Sequence, residues 1–181
     1  MQNLWAPWRA AYLLGETEAA GGCIFCVKPA RGADHFAEEL ILCATADASV
    51  MLNLYPYVNG HLLVSPREHV ARVSELTPGA HDALFRMVTG ATRALEEAVA
   101  PEGVNVGINA GRVAGAGIID HAHVHIVPRW NGDTNFMPVI GETTVVAQHL
   151  RATYAALQPH FARLGGAGSG GAAVARSPHG S

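Results

Sequence analysis

The chain has 181 residues, 49% hydrophobic and 15% charged, which suits one soluble domain built around a single core. A formal net charge of −3 argues against a broad nucleic-acid-binding surface, so an anionic ligand has to be held by local groups. No apolar run reaches the roughly 18 residues of a membrane span. Met1-Gln2-Asn3-Leu4-Trp5 lacks the basic start and apolar core of a signal peptide, so the expected location is cytoplasmic.

Taken in order, Trp5 and Trp8 suggest an N-terminal segment tied against the core or a partner. Gly21-Gly22-Cys23-Ile24-Phe25-Cys26 follows, and then a polar loop through Gly32 and Asp34. Leu40 to Thr45 and Val50 to Leu54 read as strands separated by a turn at Asp47-Ala48-Ser49. Tyr55-Pro56-Tyr57-Val58-Asn59-Gly60 carries turn signals, and Gly60 to Pro66 is a nearly all-apolar, central strand. At Thr77 the period changes: Thr77 caps, Pro78 suits the first helical position, and Leu84, Val88, Ala91, Leu95 and Val99 recur at helical spacing until Pro101. Val104 to Ala110 is a fourth strand, and Gly111 to Gly117 a glycine-rich loop. Beyond Trp130 come a turn, an extended piece through Ile140 and a last helix over about Thr144 to Leu157. The architecture is α+β, with one domain over residues 1–164 and a flexible Gly/Ala/Ser-rich tail over 165–181.

The segment before Trp130 is the most informative. In His121-Ala122-His123-Val124-His125-Ile126-Val127-Pro128, three histidines alternate with apolar residues. In a strand they project from one face while Ala122, Val124 and Ile126 pack on the other, and Pro128 marks the end or an edge. Imidazoles have little value as strand filler, so the trio points to a reaction centre. A neutral imidazole is a competent nucleophile at neutral pH once its other ring nitrogen is held in one tautomer.

The cysteines are Cys23, Cys26 and Cys43. Cys43 lies in an apolar run and reads as a small core residue. The two-residue spacing of Cys23 and Cys26 lets both thiolates reach one tetrahedral ion, but two ligands do not close a structural site. Free buried thiols are the alternative. A redox role needs the pair at the start of a helix in a thioredoxin-like unit, which the chain does not offer.

The run His121 to Val127 resembles the His-φ-His-φ-His-φ-φ signature of the HIT (histidine triad) superfamily. Asn53-Leu54-Tyr55-Pro56, Gly60-His61-Leu62-Leu63-Val64, Asn105-Val106-Gly107-Ile108-Asn109 and Asp133-Thr134-Asn135-Phe136 are similar to further blocks of that family. Leu4-Trp5-Ala6-Pro7-Trp8-Arg9 resembles its prokaryotic branch of diadenosine tetraphosphate hydrolases and phosphorylases. The resemblance implies a five-stranded antiparallel sheet that pairs in a homodimer into ten strands. It implies an enzyme acting on nucleotides substituted at the α-phosphate, dinucleoside polyphosphates among them, without an organic cofactor, nucleic-acid partner or membrane.

By the same resemblance His123 attacks phosphorus to form a nucleotidyl-histidine, His125 contacts the phosphate, and His61 is a fourth active-site histidine, a position that a satisfied core histidine explains as well. Asn53 matches a ribose-binding position and Asn109 one near the leaving group or phosphate. Relatives carrying the cysteine pair imply a structural zinc held by Cys23, Cys26, His69 and His121. Gly117 and Ile118 depart from the pattern, because many members have glutamine and then serine or threonine there. Backbone N–H groups of the glycine loop are one replacement. A nucleotide-binding regulatory module with little turnover is the competing reading, and a metal hydrolase liganded by the three triad histidines is a third.

Overall fold

The structure, a computed structural model, describes residues 22–133 and 150–165. The expected anchoring of Trp5 and Trp8, the block at Thr134-Asn135-Phe136, the extended piece through Ile140, the start of the last helix and nearly all of the tail lie outside them. Five strands form one antiparallel sheet: β1 (Ile41–Ala44), β2 (Ala48–Leu52), β3 (Leu62–Pro66), β4 (Gly103–Ile108) and β5 (Val124–Arg129), in the spatial order β1-β2-β3-β5-β4. The expected fold class is the one observed.

Among the described residues the α-helices are α1 (Ile24–Ala30), α2 (Phe36–Glu39), α3 (Pro78–Val99) and α4 (Leu150–Gly165). Helix α3 begins as its sequence dictates. The Thr77 hydroxyl accepts the Ala80 N–H, and Pro78 occupies the first turn, where its missing N–H costs nothing. Leu84, Met87, Val88, Ala91, Ala94 and Leu95 form its buried stripe. Helix α4 continues past Leu157 and buries Phe161 completely, even with Pro159 inside it.

Helix α1 departs from the sequence reading, which expects a loop after Cys26. Seven residues are too few for a helical period to stand out, and Pro29 inside the run reads as a breaker. What holds this helix is the burial of Phe25, which has no exposed surface.

The sheet has two unlike faces. Leu42, Cys43, Val50, Leu52, Leu62, Val64, Val124 and Ile126 pack with α3 and α4 into the main core. The opposite face carries a smaller cluster of Phe25, Ile41, Met51 and Leu63, against which Phe36 and Ile118 pack. Strand alternation explains the division except at β1. There the register slips between Ile41 and Cys43, and this bulge puts adjacent residues Leu42 and Cys43 on the helix side.

Pro128 also differs from expectation: β5 runs on to Arg129, with Pro128 opposite Val104. Strand β3 pairs with β5 only as far as Ile126, so one flank of β5 is already released at Pro128. Among the described residues no helix is long and apolar enough to cross a membrane.

Gly60 ties this framework to the residues that follow it. Its φ is +81°, and an added Cβ would lie 3.4 Å from both Leu95 Cδ1 and Pro128 Cγ. Gly60→Ala is expected to destabilise the fold by roughly 1–2 kcal/mol through left-handed backbone strain alone, measured as a lower urea midpoint with an unchanged m-value.

Candidate functional site

The face of the sheet opposite α3 and α4 becomes polar as it is crossed. One row of register partners reads Ile41, Met51, Leu63, His125 and Gly107 across all five strands. The neighbouring row contains Ser49 and Ser65, both buried, their hydroxyls 3.0 Å apart. His123 lies just before β5, its ring 5.0 Å from that of His125. On the other side Asn53 donates its N–H to the His61 carbonyl, just past the ends of β2 and β3. His61, His123, His125 and Asn53 therefore gather at one place.

The histidines are not on one regular strand, as the alternation suggests. His121 and His123 precede β5, because this segment leans on the loop after β3. The Ala122 N–H donates to the Val70 carbonyl, and His121 Nε2–H donates to the Pro66 carbonyl at 3.0 Å. His121 and His123 are buried and His125 is half-buried.

The hydrogen bonds fix the ring tautomers. A carbonyl only accepts, so His123 Nδ1 carries the proton it shares with the His121 carbonyl at 2.9 Å, and Nε2 keeps its lone pair. The Tyr57 N–H donates to His61 Nδ1 at 3.2 Å, so the His61 proton is on Nε2, which donates to His125 Nδ1 at 2.9 Å. His125 consequently carries its own proton on Nε2. Along this chain of bonds, a lone pair on His123 stands beside an N–H donor on His125, their rings 5.0 Å apart.

Burial disfavours the protonated forms of His61 and His123. Burial first, and then the neighbouring His125 and His123, lower His61 to about 3. Burial lowers His123 as well, against the opposing pull of its bond to the His121 carbonyl. A neutral imidazole with an unshared pair can act as a nucleophile, and a neutral N–H can hydrogen-bond developing negative charge.

A second cluster adjoins the first. His121 Nδ1 lies 3.3 Å from Cys23 Sγ, 3.5 Å from Cys26 Sγ and 3.2 Å from His69 Nδ1, while Cys26 Sγ lies 3.3 Å from His69 Nδ1. All four ligand atoms fall within 4.8 Å of one another. Four donors at ordinary zinc bond lengths have tetrahedral edges of about 3.3 Å between nitrogens and about 3.5 Å between nitrogen and sulfur. The observed spacings fit, and a mixed thiolate and imidazole set suits a tetrahedral ion. Burial and the adjacent Cys23 raise Cys26, and the Arg67 guanidinium pulls it back.

Among the described residues this is the group that could hold a metal ion; the triad histidines do not form one, since each points a ring nitrogen at a different partner. Contrary to the sequence reading, the cysteine pair does start a helix: Cys23 is the N-cap of α1 and Cys26 lies in its first turn. The surrounding fold is not thioredoxin-like.

Asn53 accepts the Tyr55 N–H at 3.0 Å and donates to His61 Nδ1 at 3.3 Å, so it builds the turn and steadies His61. Asn109 is half-buried beyond the end of β4. Gly117 is exposed, and Ile118 packs against the Phe25 cluster, so this position covers core. The glycine loop folds into a turn of 3-10 helix at Arg112–Ala114 and uses the N–H groups of Ala114, Gly115 and Ala116 internally, which removes three of the donors expected for phosphate.

Two residues near the histidines escaped the sequence reading. Phe25 touches the rings of His121 and His123, and Tyr57 lies against His61 with ring centroids 4.6 Å apart. An aromatic between two cysteines and one in a proline turn look like ordinary packing until the sheet brings distant segments together.

The chain is similar to known proteins in both sequence and fold. A family model described as HIT domain matches residues 36–132. The AP-4-A phosphorylase of Mycobacterium tuberculosis is 36% identical over 168 residues, covering 90% of this chain and 86% of the relative. The adenosine 5'-monophosphoramidase hnt1 of Schizosaccharomyces pombe is 36% identical over 60% of this chain and 75% of its own length. The asymmetrical bis(5'-nucleosyl)-tetraphosphatase of the same yeast is 36% identical over 48% of this chain and 47% of its own. Two solved structures share the fold. A hypothetical histidine triad nucleotide-binding protein from Sulfolobus tokodaii has a TM-score of 0.61 at 24% identity, covering 82% of this chain and all of that one. A Zn-bound histidine triad family protein from Mycobacterium smegmatis has a TM-score of 0.60 at 23% identity, covering 81% and 97%.

The His61 pKa carries a stability consequence. The unfolded chain takes up a proton near pH 6.5, whereas the folded His61 resists protonation down to about pH 3. Its contribution is present above pH 6.5 and is lost as the pH falls between those two values. Urea denaturation from about pH 7.5 to about pH 5 should show falling stability, with a shallower fall in His61→Asn. An identical slope in the variant would assign the effect to other groups.

Proposed function

The chain belongs to the HIT domain family, and on that premise we propose that it is a nucleotidyl hydrolase or transferase that cleaves dinucleoside polyphosphates at the α-phosphate through His123. The observation that carries the reading is the hydrogen bond from His123 Nδ1 to the His121 carbonyl, which leaves Nε2 available for attack.

In this mechanism Nε2 of His123 forms a bond to the α-phosphorus as the bond to the leaving phosphate oxygen breaks. The Nε2–H of His125, held by the bond from His61, donates to a phosphoryl oxygen as charge develops. Water or inorganic phosphate then attacks the phosphorus, the P–N bond breaks, and the electron pair returns to His123. Asn53 has used one donor and one acceptor within the protein, so its second N–H and second lone pair are free for the ribose hydroxyls. Asn109, the residue after β4, serves the leaving group or phosphate.

The cysteine and histidine cluster is assigned to a structural zinc ion. Its four donors fill the tetrahedron and leave no open position for water, so zinc would hold the segment around Cys23 against His121 and take no part in the reaction.

A homodimer is also proposed. Strand β4 is a sheet edge with an exposed surface, and its Val106 and Ile108 remain 50% and 40% accessible. An edge of this kind invites pairing with another strand. Sedimentation equilibrium is expected to give twice the chain mass.

His123→Asn should lower turnover of diadenosine tetraphosphate at least about a thousandfold while retaining the folded spectrum. Unchanged turnover would sink the mechanism, and tight AMP binding without turnover in the unmodified chain would favour the regulatory module. The M. tuberculosis relative makes phosphate the first acceptor to try. ADP with ATP as products in phosphate buffer means phosphorolysis, and AMP with ATP means hydrolysis.

A further inference from the structure

Phe25 sits between the two cysteines in sequence and between the two clusters in space. The first turn of α1 is built on Cys23, whose carbonyl accepts the N–H groups of Cys26 and Val27 at 3.0 and 2.9 Å. The helix has seven residues and no side-chain cap, too short to hold itself by backbone bonds alone. Besides the packing of Ile24 and Pro29 and the Lys28–Glu39 ion pair, two of its attachments reach the histidines: the cluster at Cys23 and Cys26, and the Phe25 ring. That ring lies 5.2 Å from His121 at an interplanar angle of 56° and 4.9 Å from His123 at 33°.

His123 needs what this contact supplies. Its bond to the His121 carbonyl fixes one nitrogen, yet an imidazole held at one atom can still rock about that bond. Phe25 and His125 each pack a ring against it, at 4.9 and 5.0 Å, and together restrict that motion. Attack on phosphorus is sensitive to such restriction, because aligned reacting atoms carry much of the rate advantage. Phe25 has no exposed surface, so it cannot stack on a bound nucleotide without leaving the core.

We propose that Phe25 is a positioning residue through which a metal ion in the Cys23, Cys26, His69 and His121 cluster sets the ring orientation of His123. This rests on the reading of that cluster as a zinc site and of His123 as the nucleophile. Loading the cluster fixes the start of α1, α1 places Phe25, and Phe25 limits the rocking of the His123 ring through their tilted contact. A second connection runs through the backbone of His121, so a substitution at Phe25 separates the two.

The test compares the full chain with Phe25→Leu, measuring zinc content, melting temperature, steady-state kinetics with diadenosine tetraphosphate, and the ¹H–¹³C signal of the His123 ring before and after chelation. The His123 signal is assigned through its loss in His123→Asn. Zinc content near one equivalent is expected in both proteins. In the variant kcat should fall by about 10–100-fold while KM changes by less than about twofold, the signature of lost alignment. The His123 signal should be single in the zinc-loaded parent and broadened by chelation. In Phe25→Leu it should be broadened already and respond little to chelation.

Parent-like kcat with a sharp His123 signal in the variant would overturn the proposal. So would a chelation response as large in Phe25→Leu as in the parent, or a parent chain that takes up no zinc. Turnover persisting in His123→Asn would sink the nucleophile reading instead, and the chelation response would still decide the coupling because it needs no reaction. Phe25→Met, which keeps bulk and loses the flat face, replaces the leucine variant if that variant does not fold.

Discussion

A single hydrogen bond, from His123 Nδ1 to the carbonyl two residues earlier, decides what the neighbouring side chains can do. It commits one nitrogen and leaves the other bearing a lone pair, inside surroundings that disfavour protonation. The carbonyl it uses belongs to His121, whose own ring is tied to the Pro66 carbonyl and to the thiols. An error in placing His121 would pass directly into His123. The loop after β3, the start of α1 and the segment before β5 are therefore parts of one device, although they are scattered along the chain.

The sheet gives that device its setting. On one face, α3 and α4 cover a continuous apolar surface; on the other, the row Ile41, Met51, Leu63 passes into His125 and Gly107. The apolar half of this row supports Phe25, and the polar half holds the imidazoles. Glycine opposite His125 leaves open space, since a Cβ there would meet nothing within 4 Å. Packing on one side of Leu63 and chemistry on the other share one register, so a slip of any strand would disturb both.

Much of this was legible in the amino-acid order. Thr77-Pro78 and the stripe from Leu84 to Leu95 specify α3, and local signals suffice there because capping and helical period act within a few residues. Motif resemblance points to the four candidate ligands of the second cluster, and the fold brings them together. Less legible were features that depend on contacts between distant segments. Helix α1 is held by the burial of Phe25 in a cluster drawn from β1, β2 and β3, which no local pattern encodes. The histidine segment looked like uninterrupted strand because alternation records which residues are buried, not whether the backbone pairs. Only Val70 and Pro66, more than 50 residues earlier, turn it aside.

The bulge in β1 has an effect on the sulfur chemistry of the whole molecule. By turning Cys43 toward the helices, where its Sγ lies 3.9 Å from Met87 Sδ, it puts the thickness of the sheet between this thiol and the other two. Burial also pushes Cys43 up to about 12, so almost no thiolate forms there near neutral pH. A chain with three cysteines is thereby sorted into one adjacent pair and one inert residue. Neither mispairing nor competition for a soft metal can reach the third sulfur while the sheet remains folded.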